Sequence, residues 1–262
     1  ISTSLYSQRA FIQMSNEQNI ISNWTEFDND LTNQKPDLAL QITKTWNPAG
    51  VDYGYKNDEE TGLWYTGGNW VIYNEAKTDM KPKLAHNVFV PKEGGNAYVH
   101  HSVDTTISSN YTYLYHADLN NNPSALVFVT HNWAASGIYN ESPFGVWYTG
   151  ANWAVFNQGL SAMSENIAYN IYIPAENDIA FVHTATVENI SGTYTYIDNE
   201  ATNSNENAVL IVTQNWNPGG IGGVYNNNSI GVWYNDTKEQ WVIFNQSGAM
   251  PENASFNVLV AD

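Results

Sequence analysis

Asn215-Trp-Asn-Pro-Gly-Gly220, followed by Gly231-Val-Trp-Tyr234 and Trp241-Val-Ile-Phe-Asn245, is the stretch whose reading decides the fold. The same order stands twice upstream. The first version is Trp46-Asn-Pro-Ala-Gly50, Gly62-Leu-Trp-Tyr65 and Trp70-Val-Ile-Tyr-Asn74. The second is Trp133-Ala-Ala-Ser-Gly137, Gly145-Val-Trp-Tyr148 and Trp153-Ala-Val-Phe-Asn157. Nine of the ten tryptophans occupy these positions, and the first of each trio recurs after 87 and then 83 residues. Chance does not place so rare a side chain that regularly, so the chain is one unit written three times.

Working outward, each unit reads as short strands. It opens on an apolar run at Ala10-Phe-Ile12, Ala97-Tyr-Val99 and Ala180-Phe-Val182. A second run alternates large and polar residues with period two, as in Tyr111-Thr-Tyr113 and Tyr194-Thr-Tyr196, the pattern of a half-buried strand. A third, over 38–43, 125–130 and 208–213, is nearly all apolar and reads as a central strand. It enters the Trp-Asn-Pro-Gly turn, where Pro presets φ and Gly supplies a positive φ. The second copy keeps only the Gly. Thr66-Gly-Gly-Asn69 and Thr149-Gly-Ala-Asn152 join the next two strands as hairpin turns, with a longer Asn235–Gln240 in the third copy. Met80, Met163 and Met250 recur in a loop before the last strand, and Asn74, Asn157 and Asn245 read as structural side chains that satisfy loop backbone groups.

These signals give an all-β chain of three tandem antiparallel sandwich or barrel-like units of about 85 residues. The divisions fall at 10–96, 97–179 and 180–262, after an N-terminal arm at 1–9. Linkers as short as Pro91–Asn96 and Pro174–Asp178 lead to the expectation of units stacked in a rod.

The formal charge is −17, from 26 acids and 9 bases. That argues against a phosphate-binding surface, which needs clustered Lys and Arg, so no nucleic-acid partner is expected. No apolar run reaches the 18 or so residues of a membrane span. There is no cysteine, so no disulfide can contribute. The start at Ile1 suits removal of a signal peptide, and the chain is expected outside the cell or on its surface. Residues 1–96 hold eight of the nine bases; Lys238 is the one base in the remainder.

No nucleophile elbow, HExxH, phosphate loop or dinucleotide fingerprint appears, and no acid pair recurs in all copies, so no enzyme activity and no cofactor is expected. His100-His101 point to opposite faces of a strand, and Asp28/Asp30 and Asp198/Glu200 read as solvated turns, so no metal is assigned. The sharper question is the tryptophans. Trp46, Trp133 and Trp216, with Asn47 and Asn217 beside them, could stack on a sugar ring and hydrogen-bond its rim; the alternative is that they are core. The sequons at Asn23, Asn110, Asn189, Asn227, Asn235, Asn245 and Asn253 are glycosylation candidates, while that at Asn140 is disfavoured by Pro143.

The string Asn215–Gly220, Tyr225-Asn226, Gly231–Tyr234, Trp241–Gln246, Met250-Pro251 and Phe256–Val260 resembles an uncharacterised bacterial repeat domain, a secreted β-rich module found in tandem. The resemblance covers all three units and departs at Ala134-Ala-Ser136. It implies the fold and the repeat, and no site.

The leading expectation is a non-enzymatic secreted structural subunit, joined head to tail with copies of itself in a filament or surface matrix. Ser2, Thr3, Ser4, Leu5 and Tyr6 would form the free strand. Phe256, Asn257, Val258, Leu259 and Val260 would form the end that receives it. The alternative is a multivalent carbohydrate-binding lectin or adhesin, with one aromatic site per repeat and glycans as partners.

Overall fold

The computed structural model describes residues 9–46, 48, 55–92, 96–133 and 137–261. Unit 1 contains β1 (Ala10–Met14), β2 (Ile20–Ile21), β3 (Trp24–Phe27), β4 (Gln41–Thr45), β5 (Thr61–Tyr65), β6 (Trp70–Asn74) and β7 (Ala85–Phe89). Unit 2 contains β8 (Ala97–His101), β9 (Ile107–Ser108), β10 (Tyr111–Leu114), β11 (Phe128–His131), β12 (Phe144–Tyr148), β13 (Trp153–Asn157) and β14 (Ala168–Tyr172). Unit 3 contains β15 (Ile179–Thr184), β16 (Ile190–Ser191), β17 (Tyr194–Tyr196), β18 (Val209–Gln214), β19 (Ile230–Asn235), β20 (Gln240–Asn245) and β21 (Ser255–Ala261). The all-β class and the three tandem units of about 85–90 residues are as read from the sequence.

Every unit repeats two antiparallel sheets. An inner sheet has the order β1-β7-β4, β8-β14-β11 or β15-β21-β18. An outer sheet has the order β2-β3-β6-β5, β9-β10-β13-β12 or β16-β17-β20-β19. Each unit fills the space between its sheets with its own apolar cluster, in which Trp70, Trp153 or Trp241 is buried. Their indole N–H groups donate to the carbonyls of Lys35, Asn122 and Asn205 at 2.9, 2.9 and 2.8 Å, so these three tryptophans are core with satisfied polar ends. Asn74, Asn157 and Asn245 also play the structural part expected of them. Each donates to a loop carbonyl, of Thr78, Ser161 or Ala249, at 3.0, 3.1 and 2.9 Å.

Two readings of the inner sheet are corrected. The central strand is the last one of each unit, not the third. The run read as the third strand, β4, β11 or β18, flanks that strand, with β4 also paired in parallel to β19 of unit 3 at Thr45–Val232. It is nearly all apolar because a neighbouring unit covers it. That neighbour also changes the overall arrangement, because unit 3 returns to unit 1. The N–H groups of Ile42, Val129 and Val212 donate to the hydroxyls of Thr130, Thr213 and Thr43, at 3.1, 3.0 and 2.8 Å. The side-chain amides of Asn87, Asn170 and Asn257 donate to the carbonyls of Leu210, Leu40 and Val127, each at 2.9 Å. Each set links 1 to 3, 3 to 2 and 2 to 1. The units therefore close round a pseudo-threefold axis and do not stack in a rod. An identical step that completes a turn in three repeats gives a ring, whereas any other step gives an open array.

The axis is filled by a cluster drawn from all three units, with Phe89, Phe128, Tyr172, Ile211 and Leu259 buried in it. Burying one such side chain is worth about 1.5–3 kcal/mol, so the axis stabilises the three units jointly. Phe256–Val260 belongs to β21, which is buried and paired on both sides by β15 and β18. It offers no edge to a joining strand, because its ladder hydrogen bonds are already made. Ser2–Tyr6 lie outside the described residues. Arg9, the last residue of the expected arm, is tied down by Asp178 at 3.4 Å and lies over the Phe89 ring.

Candidate functional site

The turn after the third strand carries the first tryptophan of each trio across to the next unit. Trp46 N–H donates to the carbonyl of Val232 at 3.0 Å, and Trp216 N–H to that of Val146 at 2.9 Å. The indoles then meet the second tryptophan of the neighbour edge to face. The pairs are Trp46–Trp233, Trp133–Trp64 and Trp216–Trp147, with centroids 5.8, 5.2 and 6.1 Å apart. A third aromatic continues each row: Tyr194 on Trp233 at 5.6 Å, Trp24 on Trp64 at 5.9 Å, and Tyr111 on Trp147 at 4.9 Å. Such pairs contribute about 0.5–1.5 kcal/mol beyond the area they bury. The first and second tryptophans of each trio are therefore clamps between units, and half-buried for that reason.

The glycine of each Gly-x-Trp-Tyr is fixed by close approach. A Cβ on Gly145 would lie 2.8 Å from the Gln214 carbonyl oxygen of unit 3, and one on Gly231 would lie 2.9 Å from the Phe244 ring. The last glycine of the turn, Gly137 or Gly220, has φ of 75° or 77°, as its retention in the second copy implied.

Three interfaces of one design are not identical. Between units 1 and 2, Tyr139 packs on Tyr73 at 5.5 Å and on Trp133 at 5.9 Å. Between units 2 and 3, Tyr225 packs on Phe156 at 6.0 Å and on Trp216 at 5.7 Å. The asparagine after each, Asn140 or Asn226, donates to Asn157 or Asn245, as Asn57 does to Asn74. That alignment puts Lys56 in the place of the two tyrosines. Likewise Thr193 stands where Asn23 and Asn110 stand. Between units 3 and 1 these two exchanges leave a pocket of about 230 Å³, lined by Trp46, Lys56, Thr193, Tyr194, Trp233 and Phe244. The four remaining positions are aromatic in all three copies.

A family model described as a domain of unknown function, DUF7452, matches residues 1–90, 68–173 and 151–260. The chain belongs to the DUF7452 family. No curated protein and no solved structure matches. The three DUF7452 matches follow the three units, with each overlap falling on the β6–β7 or β13–β14 region.

Beside the pocket is a water-sized space of about 10 Å³, which shares Trp46, Lys56 and Phe244 with it. Thr45, His86 and Gln246 also line this space. Thr45 Oγ1, both His86 ring nitrogens and Gln246 Oε1 are buried without a hydrogen-bond partner among the described residues. Burial, with Lys44 adding to it, holds the His86 imidazole down at about 3, so it is neutral. Lys44 itself is buried, and burial lowers its pKa against the pull of Glu60, Glu59 and Asp58. Its ammonium is taken by the Glu59 carbonyl and the Ser229 hydroxyl. The interface between units 3 and 1 thus combines an aromatic wall with neutral polar atoms that have hydrogen-bonding capacity to spare.

Of the residues read as sugar ligands, only Trp46 lines this pocket. Asn47 lies outside the described residues. Trp216 is covered by Tyr225 and by Gly223, where a Cβ would sit 2.1 Å from the indole. Asn217 is corrected to a structural clamp: its side chain accepts from the N–H of Tyr148 and donates to the carbonyl of Tyr148, both at 2.8 Å. Trp133 and Trp216 bury their indole nitrogens unpartnered, which makes them packing residues rather than ligand platforms. Lys56, Thr193, Tyr194, Trp233 and Phe244 escaped the sequence reading. The available signal was inequality between copies, Lys against Tyr and Thr against Asn.

Among the glycosylation candidates, Asn227 and Asn253 are exposed. Asn245 is buried and its amide donates to Ala249, so in the folded chain it is not a glycan site. Asn23, Asn110, Asn189 and Asn235 are half-buried and also donate their amides, to Asn74, Asn157, Thr184 and Tyr196. His100 and His183 bridge the two sheets of their units, to Thr112 and Thr195 at 2.8 Å.

Proposed function

We propose that this protein is a saccharide-binding module with one open aromatic site, between units 3 and 1. The observation that carries the reading is the pocket itself. Trp46, Trp233, Tyr194 and Phe244 form a wall for the apolar face of a sugar ring. Thr193 and Tyr194 line the same pocket with hydroxyl groups that can hydrogen-bond its hydroxyls. Aromatic faces and neutral hydrogen-bonding groups together match the amphipathic surface of a pyranose. The reading keeps the lectin alternative and reduces it from three sites to one, because Tyr139 and Tyr225 cover the corresponding tryptophans.

The filament reading relied on complementary surfaces left over at the two ends. Of these, Phe256–Val260 is already paired on both sides by β15 and β18, which favours the binding role over the joining one.

A glycan array followed by calorimetry on the best hit tests this. Trp233→Ala should weaken binding at least about tenfold, the loss of roughly 1.4 kcal/mol. Lys56→Tyr, which restores the residue of the other two copies, should leave the fold intact and close the site. Absence of binding across a broad array, or binding that both variants retain in full, would refute the reading.

A further inference from the structure

We infer that the saccharide taken by this site carries a carboxylate, so that the ligand is an oligosaccharide ending in a hexuronic acid. The inference rests on the saccharide reading above and adds the charge. In a chain of net charge −17, cations are scarce, and one of the nine lines this pocket while a second lies over a ring that neighbours its wall. Lys56 lines it, with its ammonium 5.6 Å from the centroid of Phe244. Lys238 is the one base between residues 97 and 262. It is carried on the Asn235–Gln240 hairpin, two residues longer than its counterparts at 66–69 and 149–152. Its ammonium lies 5.4 Å from the ring of Tyr196, which stands 5.3 Å from Tyr194 on the pocket wall. The Tyr194 hydroxyl is held below its ordinary range by hydrogen bonds with Ser191 and Tyr196 and, in smaller part, by the charge of Lys238.

Both lysines are thus departures from the repeat: Lys56 lines the pocket between units 3 and 1, and Lys238 stands one ring beyond its wall. Neither ammonium lies within 4.0 Å of a carboxylate among the described residues, although the chain has 26 acids. The nearest acid along the hairpin, Glu239, accepts from the hydroxyl of Ser204 at 3.1 Å. A cation over an aromatic face keeps most of its charge available to a further partner. A carboxylate on a ring stacked against Trp233 would find a charge-assisted hydrogen bond there, stronger than any that a neutral hydroxymethyl group can make.

The test compares two oligosaccharides of equal length that differ only in ending in glucuronic acid or glucose, titrated against the full chain. The acidic one should bind about tenfold tighter, the worth of one charge-assisted hydrogen bond at a partly exposed site. The preference should shrink as salt is raised. Lys56→Gln and Lys238→Gln should each bring the acidic affinity down towards the neutral one. Lys77→Gln should leave the preference unchanged, since Lys77 lies 4.3 Å over Tyr139 at a closed interface. Equal or reversed affinity for the pair, with both lost in Trp233→Ala, overturns the charge and keeps the saccharide site. Binding of neither sugar overturns both.

Discussion

Glu75 of unit 1 accepts from the ring Nδ1 of His131 of unit 2, and both side chains are fully buried. Tyr73 donates to the same carboxylate at 2.9 Å, and the N–H of Asn140 donates to its other oxygen at 2.9 Å. The next interface has an amide pair in the same place, Gln158 and Gln214 at 3.3 Å. The structure therefore holds a carboxyl–imidazole pair and its amide replacement in one frame.

That equivalence sets the first prediction. Glu75→Gln or His131→Gln alone should cost about 1–3 kcal/mol, because each leaves a buried polar partner mismatched. The double variant recreates the Gln158–Gln214 arrangement and should recover most of the loss. A denaturant double-mutant cycle measures this; a double variant as unstable as the sum of the singles would show that the pair does not act as a unit.

The second prediction concerns acid. Burial holds His86 near 3 and His183 near 4 in the folded chain, Lys44 adding to the effect at His86. In the unfolded chain each titrates near 6.5. As pH falls below about 6.5 the unfolded state takes up protons that the folded state refuses. Stability is therefore full above that value and falls towards pH 4, by about 1.4 kcal/mol per pH unit for each histidine. His86→Phe, the side chain that Phe256 provides in unit 3, should remove the His86 share of this dependence, and leave that of His183, without loss at pH 7.5. Urea midpoints at several pH values between 4 and 7.5 check it.

Closure of the ring predicts shared stability. Asn170→Ala should leave the carbonyl of Leu40 buried without its donor and cost about 1–3 kcal/mol. Asn87→Ala and Asn257→Ala should cost similar amounts at Leu210 and Val127. Each variant should lower the midpoint of one common unfolding transition. Three separate transitions, with only the altered unit shifted, would mean that the units are stable independently.

Gly145→Ala should be costly although glycine-to-alanine exchanges in strands usually help. The new methyl group would lie 2.8 Å from the main-chain oxygen of Gln214, which cannot turn away. Overpacking of this kind costs about 1–3 kcal/mol. Gly68→Ala, with nothing within 4 Å, is the control that should stay near neutral. Equal thermal stability of the two variants would contradict the close approach.

The sequence revealed the repeat because the aromatic positions are under the same packing demand in every unit. Trp70, Trp153 and Trp241 are core with satisfied indoles, and the alternating strands fell near the observed ones. Boundaries moved where tertiary contacts decide them: the third strand, read at 38–43, runs from Gln41 to Thr45. The candidate site was less legible. Trp46 was named, but so were Trp133 and Trp216, since nothing local distinguishes a tryptophan covered by a tyrosine some six to nine residues on from one beside a lysine. The partners Tyr194, Trp233 and Phe244 belong to the unit farthest away in the chain, and no local pattern brings them to Trp46.

By itself the sequence determined that one β unit is written three times, which residues fill each unit, and where the copies differ. Only the tertiary structure decided that the step between units closes after three and brings Asn87 to Leu210. That step is set by the shape of the interface as a whole, and each repeat states the same interface whether the array closes or runs on. Closure also gave the copy differences their meaning. Lys56 and Thr193 are far apart in the chain, and they line one pocket because unit 3 folds back against unit 1.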